Sequence, residues 1–236
     1  MTWLQGLILA LDTEATGVNP DADRVVTVCV GRSERPGDWT VVESALVNPG
    51  VPIPDGATAV HGITTEKATA EGADPAEALH LVRKLLQAAA DNEVPVVLHN
   101  AIYDLTLLDA EFRRHLDEPM PDGLVVVDTL VLFRRFDHST GSRTLEQLAH
   151  RNGIRFPAHD AEADALTALR LLHILAGDND LLPLVPLDAL QERQRVWSEA
   201  QQQAAYWRRR GNGHDPDPDI RPWPYGPLTT IRKDAA

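Results

Sequence analysis

Asp12 and Glu14 stand two residues apart at the end of the apolar run LILALD, residues 7–12. That run reads as a strand, and side chains alternate across a strand, so both carboxylates point to one face. Asp104 falls in the first turn of a helix that follows a second apolar run, VPVVLH, residues 94–99. The stretch HDAEADA, residues 159–165, brings one histidine and three more acids to the start of another helix. Successive helix residues rotate by about 100°. Asp160 and Asp164 therefore share a stripe, and Glu162 points well round from both. From Ala161 to Ala176 this helix is apolar over most of its circumference, so it should be buried. A carboxylate on a buried helix needs a partner or a cation. Periodicity thus favours Asp160 or Asp164 over Glu162 and leaves those two tied, since Asp160 also fits an N-cap. His159 can face Asp164 only from the loop that enters the helix.

Several carboxylates converging within a few Å repel and raise one another's pKa values. Such a cluster is tolerable at neutral pH when divalent cations fill it, and oxygen ligands suit Mg²⁺ or Mn²⁺ rather than zinc. Two such ions beside a histidine fit metal-assisted hydrolysis of a phosphodiester.

The elements that must position these groups alternate in type. Residues 7–12, 25–31 and 39–47 read as three strands joined by short links, an antiparallel meander. Asp74-Pro75-Ala76-Glu77 then opens a helix that runs to about Asp91, with Asp as cap and Pro at the first position. The strand 94–99 leads to a helix over 103–116 with Asn100 as a candidate cap. The strand 124–128 leads to a helix over 129–136, and Thr144 caps a helix ended by Gly153. The last helix of this series spans about 160–176 and ends at Gly177. Sites in α/β folds form at strand ends. If the strands at 7–12 and 94–99 are central neighbours, their ends bring Asp12, Glu14 and Asp104 together. Gly17 just beyond is compatible with close backbone approach. Leu108 and Phe112 have core spacing, and Asp128-Thr129 reads as structural support. After Pro186 a polar helix pattern precedes DPDPDIRPWPYGP, whose proline density argues against regular structure. We therefore expect a domain over 1–178 and an appended helix and tail over 187–236, with Trp223 and Tyr225 either docked on the domain or loose.

Composition narrows the classes. Of 236 residues, 43% are hydrophobic and only 5% aromatic, so the chain is globular with a core of Ala, Leu and Val. The net charge of −13, from 22 basic and 35 acidic residues, argues against coating nucleic acid through a broad basic face. It permits an enzyme that grips one chain end. The single cysteine, Cys29, excludes an intrachain disulfide and reads as a buried strand residue. No signal peptide or membrane span is evident, and a cytoplasmic location is expected. Arg134, Arg135, Arg143, Arg151, Arg155 and the run 208–210 can either hold phosphates or be ordinary solvated charge.

LDTEATG (11–17), VHGIT (60–64), HNAIYDLTLLDAEF (99–112), VVDTL (126–130), RTLEQLAHRNGI (143–154) and HDAEADALTAL (159–169) occur in that order. Together they resemble the DEDDh 3′–5′ exonucleases, a family that includes the proofreading epsilon subunit of bacterial replicative DNA polymerase. The resemblance covers roughly residues 5–177. It implies a ribonuclease H-like α/β fold, a five-stranded mixed sheet flanked by helices, here with a C-terminal helical extension. It also implies that two divalent ions, Mg²⁺ or Mn²⁺, are held by Asp12, Glu14, Asp104 and Asp164, with Asp104 acting directly or through water. His159 becomes the general base for the attacking water. A base of this type suits neutral pH. The backbone around Thr13, Glu14 and Thr16 is expected to hold the 3′-terminal nucleotide, with His61 and Asn100 as further contacts. The implied partner is a single-stranded 3′ end, DNA in preference to RNA. The alternatives are an exoribonuclease, or a non-catalytic subunit of a polymerase or repair complex. Ala15 stands where the family's first motif commonly has Thr, and Tyr103 where Phe is frequent. No clamp-binding peptide is evident, which puts membership of a replicase in doubt.

Overall fold

The computed structural model describes residues 2–216, 219–226 and 229–230. Strands β1 (Ile8–Ala15), β2 (Val25–Ser33) and β3 (Thr40–Leu46) form the expected antiparallel meander. Strands β4 (Val96–Leu98) and β5 (Val126–Asp128) join it in parallel, giving the order β3-β2-β1-β4-β5. β1 is central, and β4 is its parallel neighbour, with Leu9 opposite Val96. The sheet is thus five-stranded and mixed, as expected.

Helices cover both faces, and residue parity along β1 decides which. Leu9 and Leu11 pack with helices α3 (Pro75–Asp91) and α4 (Ala101–Leu116), in one core with Leu79, Leu86, Leu108 and Phe112. Ile8 and Ala10 face the other way, against α7 (Ala161–Asp178), with Ala165, Leu169 and Leu172. The same alternation carried forward puts Asp12 and Glu14 on the α7 side and Thr13 on the α4 side. Cys29 is buried in β2, and burial, then nearby acids led by Glu162, push its thiol up to about 12.

Local signals account for the helix boundaries. The Asp74 carboxylate accepts from the N–H groups of Ala76 and Glu77 at the start of α3. α5 (Thr129–Phe136) starts at Asp128, and Thr144 caps α6 (Leu145–Arg151). Gly153 follows α6 with φ of 70°, which favours glycine. α7 runs through Gly177 to Asp178 instead of stopping at 176. Two short helices escaped the periodicity reading: α1 (Asp55–His61) and α2 (Thr65–Glu71). Each is two turns long and together they bury only Ala68, so neither carries an apolar stripe.

The segment after Pro186 packs onto the sheet layers. α8 (Leu187–Gly211) lies against α5 and β5. Gln194 is fully buried: it accepts from the N–H of Asp128 at 2.8 Å and donates to the carbonyl of Val126 at 2.9 Å. Trp223 docks too, 6% exposed in the core, with its indole N–H 3.3 Å from Asp128 Oδ2. The proline-rich tail contains a two-residue strand, Asp219–Ile220, paired with Thr229–Thr230. This corrects the expectation of irregular structure there: Asp219 and Ile220 are not prolines, so their backbone can enter a strand ladder. The rest of that expectation, at 217, 218, 227, 228 and 231–236, lies outside the described residues. Among the described residues no helix is long and apolar enough to cross a membrane.

Candidate active site

At the C-terminal end of β1 a cavity of about 430 Å³ opens between α4, α5 and α7. Asp12, Glu14, Asp104, His159 and Asp164 all line it, together with Thr13 and Asn100. The strand, the two helices and the loop before α7 each deliver their part. β1 bulges between Glu14 and Ala15, the kind of irregularity that re-aims side chains beside a site.

Asp164 sits one turn inside α7 and is buried, as the stripe argument required of one of the pair. Asp160 is the cap: its side chain accepts from the N–H of Ala163 at 3.0 Å. The tie is resolved by position, because the capping residue turns its carboxylate back onto its own helix. His159 precedes the helix with φ of 65°, and this bend lets its N–H donate to Asp164 Oδ2 at 3.2 Å. A ligand atom from each of Glu14, His159 and Asp164 lies within 4.8 Å of the others.

Asp104 enters from the opposite face of β1. Thr13 donates to its Oδ1 twice, from the hydroxyl at 2.6 Å and from the N–H at 3.1 Å. This follows from strand parity, since Thr13 points to the α4 side. Thr13, expected among the substrate contacts, lines the cavity while its N–H and hydroxyl hold Asp104. Thr16 is similarly engaged, donating to Asp23 and to the Arg24 carbonyl and accepting from the Arg24 N–H. Thr16 and His61 do not line this cavity. His61 lines an adjoining one of about 320 Å³, shared with His159, Asp160 and Glu162. Its ring accepts from the N–H of Ile63, and burial lowers its pKa, offset in part by the Ala15 carbonyl. Asn100 occupies the N-cap position of α4, but its side chain makes no capping bond. Its φ of 78° is a conformation asparagine tolerates, and it leaves the side chain exposed at the cavity. The α4 N-terminus is capped from elsewhere: Asn100 and Ala101 donate to the two oxygens of buried Asp128, at 3.1 Å each.

Three supporting residues were not foreseen. Glu111 is 1% exposed, accepts from the N–H of Val25 and pairs with Arg114. His99 lies between Thr129 and the Arg143 carbonyl, at 2.8 and 2.9 Å, and burial pulls its pKa down to about 4. The Tyr103 hydroxyl donates to the Gly17 carbonyl, so the departure from Phe ties α4 to the turn after β1. A Cβ at Gly17 would come within 2.6 Å of the Asp23 carboxylate, which would have to move away from Thr16 and Asn19. Sequence spacing gave no signal for the contacts of Glu111 with Val25, of His99 with Thr129 and Arg143, or of Tyr103 with Gly17, because each joins segments distant along the chain.

The carboxylates strain one another. Burial, then Asp104, Asp164, Glu14 and Asp160, hold Asp12 well above its usual range. Glu14 is raised to about 8 by burial and then by Asp164 and Asp104. Burial raises Asp104 to about 7 despite the opposing Thr13 hydrogen bonds. Asp164 also reaches about 7, through burial and Asp160, against the His159 N–H. Asp164 Oδ1 is buried without a hydrogen-bond partner. An orphaned carboxylate oxygen beside other raised acids fits a divalent cation, by charge and by donor type.

A mixed five-stranded sheet with converging acids and a histidine at the end of its central strand defines a ribonuclease H-like nuclease. Residues 9–172 match the Exonuclease (RNase T) family, and the chain belongs to it. It is 33% identical over 180 residues to a DNA polymerase III subunit epsilon-like protein of Rhodobacter capsulatus, covering 71% of this chain and 24% of that protein. It is 41% identical over 64 residues to an uncharacterised exonuclease of Escherichia phage 186, covering 27% of this chain and 30% of the phage protein. The fold is similar to that of E. coli exonuclease I solved with a dT13 oligonucleotide, with a TM-score of 0.65 and 22% identity over 75% of this chain and 42% of that one. The chain thus spans less than half the length of these relatives.

Proposed function

We propose that the chain is a metal-dependent 3′–5′ exonuclease that removes nucleoside monophosphates from single-stranded or frayed DNA ends. The observation that carries this reading is the convergence of Asp12, Glu14, Asp104, Asp164 and His159 on one cavity, with an unpartnered carboxylate oxygen at Asp164. Asp12, Glu14 and Asp164 would hold the Mg²⁺ or Mn²⁺ ions, and Asp104 would complete the set from the α4 side. The ions, when bound, supply Lewis acidity toward the phosphodiester and neutralise the acids. The protein's own groups do the rest. His159, exposed at the cavity, accepts the proton of the attacking water at a ring nitrogen. Asp164 fixes the backbone of His159 through its N–H, so base and ligand are positioned as a unit. Thr13 holds Asp104 in place, and Asp128 sets the start of α4 that carries it. The exposed Asn100 side chain is the polar group best placed to contact the terminal nucleotide.

DNA is favoured because one relative is named for a DNA polymerase subunit and one neighbour in structure was solved with a DNA oligonucleotide. The same relative supports docking to a polymerase or repair complex. The test offers matched single-stranded DNA, double-stranded DNA and RNA, labelled at the 5′ end, with Mg²⁺ or Mn²⁺. A ladder shortening from the 3′ end of DNA is expected. It should vanish in Asp12→Ala and Asp164→Ala and largely persist in Glu162→Ala. Wild-type rates from Asp164→Ala would overturn the site, and a faster ladder on RNA would make the chain an exoribonuclease. No products from any substrate would leave the non-catalytic reading.

A further inference from the structure

We propose that Arg134 and Arg208 form a phosphate-binding track for the strand upstream of the bond being cut, so that α8 belongs to the substrate surface. This rests on the reading of the chain as a single-strand exonuclease. A groove of about 470 Å³ adjoins the active-site cavity, and the two share Arg134, Ser142 and Arg143 as lining. The far wall of the groove is α8, through Gln201, Ala204, Ala205 and Arg208. Gly141, Ser142 and the two alanines are small, which keeps the groove open. A strand whose last nucleotide lies among the acids therefore has one continuous route outward, past Arg134 and along α8.

Charge identifies the occupant. With 35 acidic residues against 22 basic ones, carboxylates are plentiful. Arg35, Arg83, Arg113, Arg195 and Arg221 each pair with one. Among the described residues Arg134 and Arg208 make no ion pair, as is true of several other arginines, but these two line the groove. Arg143 differs: its guanidinium donates to the carbonyls of Asp137, Ser139 and Gly141, so it shapes the loop instead. The Arg134 guanidinium lies within the field of both Arg143 and Arg208. Burial lowers the Arg134 pKa first, and Arg143 and Arg208 lower it further, against the pull of Asp128. Arg134 and Arg208, facing one groove with no ion pair of their own, match the planar, bidentate recognition of phosphate oxygens. The two walls are also locked together. Gln201 donates to the Val131 carbonyl at 3.1 Å, and Phe136 meets Trp197 edge to face at 5.4 Å between ring centroids. α8 lies beyond residues 9–172, so Arg208 comes from outside the matched family region and Arg134 from within it.

The experiment compares wild type, Arg134→Gln, Arg208→Gln and the double variant, with Mn²⁺, on two substrates. One is (dT)12. The other is the p-nitrophenyl ester of thymidine 5′-monophosphate, which fills only the terminal position. The double variant should lose at least about tenfold more kcat/KM on (dT)12 than on the ester. The slope of log KM against log salt on (dT)12 should flatten by about 1.4, two phosphates at ~0.7 each. Arg208→Lys should recover part of both effects. Equal losses on the two substrates, or none on either, would overturn the track while leaving the exonuclease reading intact. If wild type cleaves neither substrate, the exonuclease reading falls, and fluorescence anisotropy of 5′-labelled (dT)12 decides the track alone. Binding at least about tenfold weaker in the double variant supports it, and equal binding overturns it.

Discussion

Replacing Asp164 with Asn should make the protein more stable at pH 8 when metal is chelated, although it removes a central site residue. In the folded chain Asp164 is raised from 3.8 to about 7, by burial first and Asp160 next. A carboxyl whose folded pKa lies above its unfolded one binds more protons in the fold. Its contribution to stability is fully present below about pH 4 and is lost as pH rises through about 7. Each tenfold change in acidity is worth about 1.4 kcal/mol, so the ionised carboxylate costs the fold up to about 4 kcal/mol at pH 8. Partial wetting and sharing of the displacement with Asp12 and Glu14 reduce this to about 2 kcal/mol. For a domain of this size that is a rise in Tm of roughly 4–8 °C. Asn keeps an oxygen for the His159 N–H and puts an amide donor among the remaining carboxylates, where Asp164 Oδ1 has no partner. Thermal melts in EDTA at pH 8 should show Asp164→Asn above wild type, with the gap closing steadily as pH falls toward 4. With Mn²⁺ present, wild type should gain and the variant should not. A variant melting below wild type at pH 8 in EDTA would refute the electrostatic reasoning, because the Asp164 charge would then be stabilising.

Mn²⁺ affinity should strengthen as pH rises from 6 to 8, because Glu14 at about 8 and Asp104 and Asp164 at about 7 must release protons to bind a cation; calorimetry in buffers of different ionisation enthalpy measures the protons released. Gln194→Ala should cost about 2–4 kcal/mol in urea unfolding, since it leaves the Asp128 N–H and the Val126 carbonyl buried and unpaired. A single shifted transition would join 187–226 to the domain as one folding unit, whereas two transitions would support the division at 178 and 187. Tyr103→Phe should lower stability by about 1 kcal/mol through loss of the bond to the Gly17 carbonyl, read by the same unfolding curves.

What could be read from the sequence was whatever depends on neighbours within a few residues. Strand alternation placed Asp12 and Glu14 on one face, and the helix stripe limited the α7 candidates to Asp160 and Asp164. Both readings need only local periods, and the apolar runs were long enough to suggest the meander, whereas the central β1–β4 pairing was only a plausible expectation that the sheet order bears out. Contacts between distant segments were not legible. Asn100 looked like a cap because of its type, but the capping charge is Asp128, supplied 28 residues later in the chain. That Thr13 holds Asp104 was hidden too, because no local pattern reveals from which side of the sheet Asp104 enters. The extension was the hardest case. α8 is polar, with a buried side made of Leu190, Gln194, Ser198 and Tyr206, so its docking face uses hydrogen bonds as much as apolar area and leaves a weak stripe.

Asp128 shows how the distant parts bear on the site. One fully buried carboxylate caps α4 and α5 and accepts from Trp223, while its own N–H is held by Gln194. The first turn of α4 carries Asp104, so the C-terminal segment acts on the acidic cluster through a single shared group. The net charge of −13 then poses less of a difficulty for a polyanionic substrate than it first suggests. At physiological salt, charges farther apart than about 8 Å are largely screened, so the strand responds to the groups lining its path. Along that path the acids of β1, α4 and α7 would hold the proposed cations, and the walls beyond them carry Arg134 and Arg208. Surface acids elsewhere act on a bound strand only through this screened field. They can still repel a duplex laid broadly across the molecule, which favours entry by a single threaded end.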